Sequence, residues 1–455
     1  MVTFFRQHPG CFLLLAAVSG SSAIADEFQE GLDAFNKEDY SVALAAWVPL
    51  AEDGDVNAMY NVGMIYEKGL GVDIDMARAL RWYLPPAEDG DVAAQFNVAN
   101  IYDFGLGVPV DKEKALYWYL AAAAQADEQA QFNLGVLFST GEGVEANHAE
   151  SLKWYRLSAD QGYAPAQYNL AHILNAGEVV PEDNHEAMEW YRKAAEQGDA
   201  ASQYAIGLMH DTGDGFIEDD ALAIQWYTLA AEQGDLNAQF SLAVMYDVGE
   251  GVEEDDALAI KWYKSAGEQG HANAQLNLGL MYETGEGTET DRGKAMEWYR
   301  GAAEQGLKDA QYAVALMLDE GVGVDEDNAA AIGWYLRAAE QGDAQAQNNL
   351  GAMYDAGEGV VEDNIEAVRW YSASAEQGNA TAQNNLGAMY YAGEGVEESK
   401  IEAYKWFFIS GDLGNADGIQ NRKIVGKSMR PDDISKAEKL ARAWLEDFEN
   451  GSAGL

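Results

Sequence analysis

A tryptophan recurs every 36 residues ten times in succession, at Trp82, Trp118, Trp154, Trp190, Trp226, Trp262, Trp298, Trp334, Trp370 and Trp406. Nine of them are followed by tyrosine and the tenth by Phe407. A fixed period of this size marks a stacked repeat array, in which each unit buries its apolar face only against its neighbours. The period overrides what 455 residues would otherwise suggest, about three separate domains.

With Asp55 as the first position, ten units run over 55–414. The unit 235–270 is representative. Ala238, Leu242, Ala243, Met245 and Tyr246 follow a helical spacing and are closed by Gly249. Ala257, Ala259, Trp262, Tyr263 and Ala266 repeat that spacing and end at Gly270. Each unit therefore reads as two antiparallel helices, A and B. The fold class expected is all-α, an α/α superhelical solenoid of about eleven 36-residue helix-turn-helix repeats.

The row Asp75, Asp111, Asp183, Asp219, Asp255, Asp291, Asp327 and Asp363, with Asn147 and Ser399 in the remaining units, stands directly ahead of helix B. All are good N-cap residues, and Asn147/Glu150, Asp183/Glu186, Asp363/Glu366 and Ser399/Glu402 have capping-box spacing. Helix A carries only glycine or alanine at Gly63, Ala99, Gly135, Ala171, Gly207, Ala243, Gly279, Ala315, Gly351 and Gly387. Glycine inside a helix costs about 1 kcal/mol relative to alanine, so its recurrence implies close approach of helix B. Pro85 and Pro86 fall inside helix B of the first full unit, where proline is expected to break the helix. The second unit ends Gln125-Ala126-Asp127, without the closing glycine.

The net charge is −49, and it lies in the repeats, because 415–455 balances seven bases with seven acids. Such a surface repels phosphate backbones and anionic headgroups, which excludes nucleic acid and direct membrane binding as expected partners. The first 25 residues have an apolar run, Phe12–Val18, and a small-x-small site at Ala23-Ile24-Ala25. They read as a secretory signal cleaved after Ala25. Removal would take the only cysteine, Cys11, with it.

Nothing in the chain converges toward catalysis. The histidines of the mature part, His148, His172, His185, His210 and His271, fall at unrelated phases, and only His148 and His185 share a neighbourhood of the repeat. The oxygen-rich runs Glu218–Asp220 and Glu253–Asp256 lack the alternation of a dedicated calcium loop. No metal, cofactor or catalytic residue is expected, and the chain reads as no enzyme.

The pattern A-Q-x-x-[LV]-G/A-x-x-Y-x-x-G-x-G-V…D…A-x-x-W-Y-x-x-A-A-E-Q-G resembles the Sel1-like repeat, a relative of the tetratricopeptide repeat, over 55–414. Residues 26–54, with Trp47 set 35 residues before Trp82, look like a partial leading unit. Residues 415–455, with Met429–Asp433 and then Ile434–Trp444, resemble capping helices and a tail. The resemblance implies that helix A lines a concave, partner-binding face. One row on it is Tyr60, Phe96, Phe132, Tyr168, Tyr204, Phe240, Leu276, Tyr312, Asn348 and Asn384. Seven positions on lie Glu67, Asp103, Ser139, Asn175, Asp211, Asp247, Glu283, Asp319, Asp355 and Tyr391. The expected partner is a protein or peptide segment with basic and apolar groups. The aromatic row has a second reading, as packing against helix A of the next unit.

Resemblance further implies an adaptor or regulator of the bacterial periplasm, or alternatively a secreted factor that engages a host or extracellular ligand. A cysteine-rich, β-lactamase-like or penicillin-binding branch is the remaining possibility. Against it, the mature part has no cysteine and no S-x-x-K.

Overall fold

The computed structural model describes residues 22–452, and these form 24 α-helices, α1 (Ser22–Phe35) to α24 (Pro431–Ser452). They divide into two compact units, the first ending at Asp219 and the second beginning at Asp220. In the first, the pairs are α1/α2 (Tyr40–Glu52), α3 (Val56–Lys68)/α4 (Met76–Glu88), α5 (Val92–Phe104)/α6 (Lys112–Ala123), α7 (Glu128–Thr140)/α8 (His148–Asp160) and α9 (Ala164–Ala176)/α10 (Asn184–Glu196), followed by α11 (Ala200–Asp211). In the second, α12 (Asp220–Glu232) leads to α13 (Leu236–Val248)/α14 (Asp256–Glu268), α15 (Ala272–Thr284)/α16 (Arg292–Glu304), α17 (Lys308–Glu320)/α18 (Asn328–Glu340), α19 (Ala344–Ala356)/α20 (Asn364–Glu376) and α21 (Ala380–Ala392)/α22 (Lys400–Asp412). Then α23 (Ala416–Gly426) packs on α22, as does α24.

Helix ends follow the local sequence. The Asp75, Asp111, Asp183, Asp255, Asp291, Asp327 and Asp363 side chains each accept from a backbone N–H of the first turn of helix B. Helix A ends in left-handed glycine, Gly69 at φ 66° and Gly249 at φ 72°. The second glycine of the A-to-B loop is held for a different reason. A Cβ on Gly251 would lie 2.1 Å from Asp220 Cβ, the first residue of helix B one unit earlier. Nine of the ten A-to-B loops are seated in this way on the start of the preceding helix B, with Val179 in the glycine's place in the other.

The deepest side chains are the tyrosines beside the tryptophans. Tyr83, Tyr119, Tyr227, Tyr263 and Tyr335 have no exposed surface, whereas Trp82, Trp118, Trp298 and Trp334 are only half-buried. The tyrosine ring fills the space that the small residue of helix A leaves open, so a Cβ on Gly63 would come within 2.8 Å of Tyr83. The tryptophan reaches back one unit, as Trp298 does to Gly267 of α14. Glutamines bind the turns together. Gln131 Nε2 donates to the carbonyl of Ala123, and its Oε1 accepts from Gln161 at 2.8 Å. In the last unit Leu413 replaces the second glutamine, and Gln383 Oε1 is buried without a partner.

Three readings of the sequence change. Pro85 and Pro86 do not break helix B: α4 runs on through them to Glu88, and Pro49 occupies the same phase in α2. Each proline forfeits the bond from its own nitrogen to the carbonyl four residues earlier, and the packing of Tyr83, Pro86 and Ala87 holds the chain direction in spite of it. Trp47 does not belong to the tryptophan row. It stands 36 residues before Tyr83, is fully buried like the tyrosines, and lies against Gly31. Helix B keeps the 36-residue register here, α2 starting at Tyr40 and α4 at Met76, so position 47 is the tyrosine place; the shorter α1–α2 connection displaces helix A alone. Finally, Ala126 takes the place of the closing glycine at φ 65°. The left-handed conformation costs a residue with a Cβ about 1–2 kcal/mol, so Ala126→Gly is expected to raise stability by about 1 kcal/mol, read from chemical denaturation midpoints.

The expected signal segment lies outside the described residues up to position 21. Helix α1 starts at Ser22 and runs through Ala23-Ile24-Ala25, and its buried anchors, Phe28 and Leu32, both follow Ala25.

Candidate functional site

Six of the helix-A aromatics meet the core tyrosine of their own unit's helix B. Ring centroids are 5.3 Å apart for Tyr60–Tyr83, 6.1 Å for Phe96–Tyr119, 5.7 Å for Phe132–Tyr155, 5.8 Å for Tyr168–Tyr191, 6.0 Å for Phe240–Tyr263 and 5.9 Å for Tyr312–Tyr335. Tyr60 is buried, whereas Phe96, Phe132, Tyr168, Tyr204, Phe240, Leu276 and Tyr312 are half-buried. These rings therefore rest one side on the core and keep part of their surface for solvent.

The acidic row has a local partner that the sequence reading missed. The core tyrosine hydroxyl donates to Glu67 from Tyr83 at 2.6 Å, to Asp103 from Tyr119 at 3.1 Å and to Asp247 from Tyr263 at 2.9 Å. The same bond joins Tyr299 to Glu283 at 2.6 Å, Tyr335 to Asp319 at 3.1 Å and Tyr371 to Asp355 at 3.4 Å. Asp211 is half-buried at the equivalent place. In the tenth unit Phe407 has no hydroxyl to give, and Tyr391 stands where the acid would be. Elsewhere Asn175 donates to Asn184 and Asp214, and Ser139 sits half-buried in a unit whose tyrosine, Tyr155, remains. Burial first, and the neighbouring carboxylate second, hold Tyr119 well above the ordinary phenol range. Burial likewise raises the Asp319 and Asp355 carboxyls. The clue in the sequence was this paired exchange at positions 16 residues apart.

Charge divides sharply between the faces. Of the nineteen lysines and arginines in 55–414, seventeen lie on B helices, and the A helices carry only Lys68 and Lys308. The A-to-B loops hold twenty-seven carboxylates and no lysine or arginine. Many of the B-helix cations lie over tryptophans, Lys193 at 3.6 Å from the Trp190 ring centre and Arg337 at 4.4 Å from that of Trp334. Lys112 is an exception, bridging Asp103 at 2.8 Å and Glu142 at 2.5 Å. The A side thus presents carboxylates in excess of bases, beside aromatic surface in most units; the counter-charge that reaches it comes from Lys68 on Glu67 and from Arg78, Lys112, Lys114 and Lys294 on Asp75, Asp103, Asp111, Glu142 and Asp291.

The histidines are dispersed. His148 is exposed, His185 lies 5.0 Å from Phe216, and His271 caps α15 while stacking on Phe240 at 4.5 Å. His210 is buried with neither ring nitrogen bonded, and burial lowers its pKa. Among the described residues no three histidines, cysteines or acids converge where a metal ion could be held. No described helix is long and apolar enough to cross a membrane.

The Sel1 repeat model matches ten consecutive segments, 56–91, 92–127, 128–163, 164–199, 200–235, 236–271, 272–307, 308–343, 344–379 and 380–415. The chain is similar to c5321, a protective antigen present in uropathogenic Escherichia coli strains, with 36% identity over 89% of this chain and 95% of that one and a TM-score of 0.64. It is also similar to a Sel1 repeat protein from Oxalobacter formigenes, 34% identical over 68% of this chain and 90% of that one, with a TM-score of 0.52. No curated protein matches it. Proteins built this way are generally protein-interaction scaffolds, and the fold is typically non-enzymatic. Ten matched repeats, the stacked helix pairs and the likeness to two solved repeat proteins place this chain in the Sel1 repeat family.

Proposed function

We propose that the protein is an exported, non-enzymatic adaptor or regulator of the bacterial periplasm that holds a basic, partly apolar segment of a partner protein along the helix-A face. The observation that carries this reading is the charge division: bases lie on helix B, while the A helices and their loops are left acidic. Carboxylates over a wide surface steer a basic partner and set the sensitivity of its association to salt. The half-buried rings Phe96, Phe132, Tyr168, Tyr204, Phe240 and Tyr312 supply contact area that is already held in place by the core tyrosines. Tyr60 belongs to the same row, and Asp103, Asp211, Asp247, Glu283, Asp319 and Asp355 line its far side. No cofactor, metal, nucleic acid or direct membrane contact enters this reading.

The test is Phe132→Ala/Tyr168→Ala/Tyr204→Ala, with binding to a lysine-rich peptide measured at low and high salt. The expected outcome is about tenfold weaker binding with the helical signal retained. Loss of the fold instead would assign the row to the core and remove the centre of the groove. A second reading, a secreted factor that engages a host or extracellular ligand, draws support from the likeness to a protective antigen. Cell fractionation separates the two, since periplasmic retention is expected only of the first.

A further inference from the structure

We propose that the asparagines of α19, α21 and α23 form a hydrogen-bonding track for the main chain of an extended, basic segment. The proposal rests on the helix-A face being the partner surface, and adds the conformation of what lies there. The aromatic row stops at Tyr312, and carboxamides take its place at Asn348 and Asn384. With Asn349, Asn385 and Asn421 they are half-buried and joined from helix to helix. Asn349 donates to the Tyr335 hydroxyl at 3.1 Å, Asn348 to Asn349 at 3.1 Å and Asn385 to Asn348 at 3.2 Å, while Asn421 donates to Asn384 at 2.9 Å.

A carboxamide has two N–H donors and an oxygen with two lone pairs. In these bonds Asn384 uses only its oxygen, and Asn348 uses one donor and one lone pair. Capacity for both donating and accepting is left over, which matches a peptide unit and no charged side chain. Neither α19 nor α21 carries a lysine or arginine, and Asp355 lies two turns along α19; on α23, Arg422 is turned onto the Phe408 ring and Lys423 is exposed. The A-to-B loops of the same two repeats, 357–363 and 393–399, hold six carboxylates and no base. The occupant is therefore basic.

Spacing selects its conformation. Packed helices repeat at about 10 Å, and a polyproline-II chain rises about 3.1 Å per residue with three residues per turn. Such a chain presents the same edge to every successive repeat, with main-chain groups that have no internal partner. A helical segment satisfies its own backbone and would leave the asparagines unmatched.

The experiment uses the full chain and two labelled peptides of equal charge: a repeated Ala-Lys-Pro sequence, which is extended, and a repeated Ala-Ala-Lys sequence, which forms helix. The extended peptide is expected to bind about tenfold tighter, a preference lost in Asn348→Ala/Asn384→Ala/Asn421→Ala. The second measurement keeps the protein unchanged and replaces amide N–H groups of the extended peptide by ester oxygens. A similar loss is expected there, and this result decides should the triple variant fail to fold. Equal binding of both peptides, or no loss with the ester peptide, overturns the track while leaving the acidic face intact as a binder of basic segments. If neither basic peptide binds at all, the track and the reading beneath it fall together.

Discussion

Raising the pH from 9 to 11 is expected to destabilise each compact unit by on the order of 6 kcal/mol, enough to unfold a marginally stable array. Eight core tyrosines are responsible. Tyr83, Tyr119, Tyr155 and Tyr191 belong to the first unit, and Tyr263, Tyr299, Tyr335 and Tyr371 to the second. All are raised above the ordinary phenol value, with burial the largest cause in each; Tyr155 is pushed up to about 12. Because the folded pKa lies above the unfolded one, the stability concerned is fully present below about pH 10 and is lost as the pH climbs toward the folded value. At pH 11 an unfolded tyrosine gains about 1.4 kcal/mol from ionising, and a buried one gains almost nothing. Carboxylates beside six of the eight hydroxyls deepen the penalty.

Denaturant unfolding at the two pH values measures the loss, and absorbance near 295 nm reports phenolate. The core tyrosines should titrate only as helical signal disappears. Titration of all tyrosines near pH 10 with helicity unchanged would mean that these rings are not the sealed core described above.

The second large effect is expected from Trp47→Ala, about 4 kcal/mol, within the range for emptying a buried tryptophan site. The ring is fully buried between Phe28 and Phe35, both at 5.8 Å, and its Nε1 donates to the Phe28 carbonyl at 3.1 Å. Truncation would leave a cavity and remove the indole bond to the Phe28 carbonyl within the α1/α2 pair. Hydrogen exchange should show α1 and α2 opening first. Trp298→Ala provides the comparison, with a smaller loss because Trp298 is half-buried. Equal losses in the two variants would contradict the assignment of Trp47 to the tyrosine phase.

That assignment shows where legibility in the sequence stopped. Helix pairs and caps could be read because they rest on recurring local chemistry: an aspartate before eight of the ten B helices and a glycine after nine of the ten A helices. Trp47 misled by residue type, since it lies 35 residues before Trp82 but a full 36 before Tyr83, the register of the tyrosine row. Pro85 misled because the bond it forfeits is set against what packs around it, and that packing is not visible in the sequence. The acidic row was seen as a row, but not as the set of acceptors for tyrosines 16 residues later, a contact that exists only once the two helices lie side by side. The Gln131–Gln161 and Asn385–Asn348 links span units and were equally hidden.

The seating of each loop glycine on the preceding unit, together with these short-reach links, has a consequence for how the chain can change. Asn421 finds Asn384 across 37 residues, Gln161 finds Gln131 across 30, and Tyr299 finds Glu283 across 16. Almost every tie closes within about one repeat, so the contact order is low, and structure formed at one place can spread outward without waiting for distant segments. Within either compact unit, an interior block of 36 residues could be gained or lost with every type of tie re-made at the new junction. The exchange of Tyr391 and Phe407 for the acid and tyrosine, and of Leu413 for glutamine, removes two kinds of tie from the last full repeat at once, which marks that repeat as the one the array cannot copy inward.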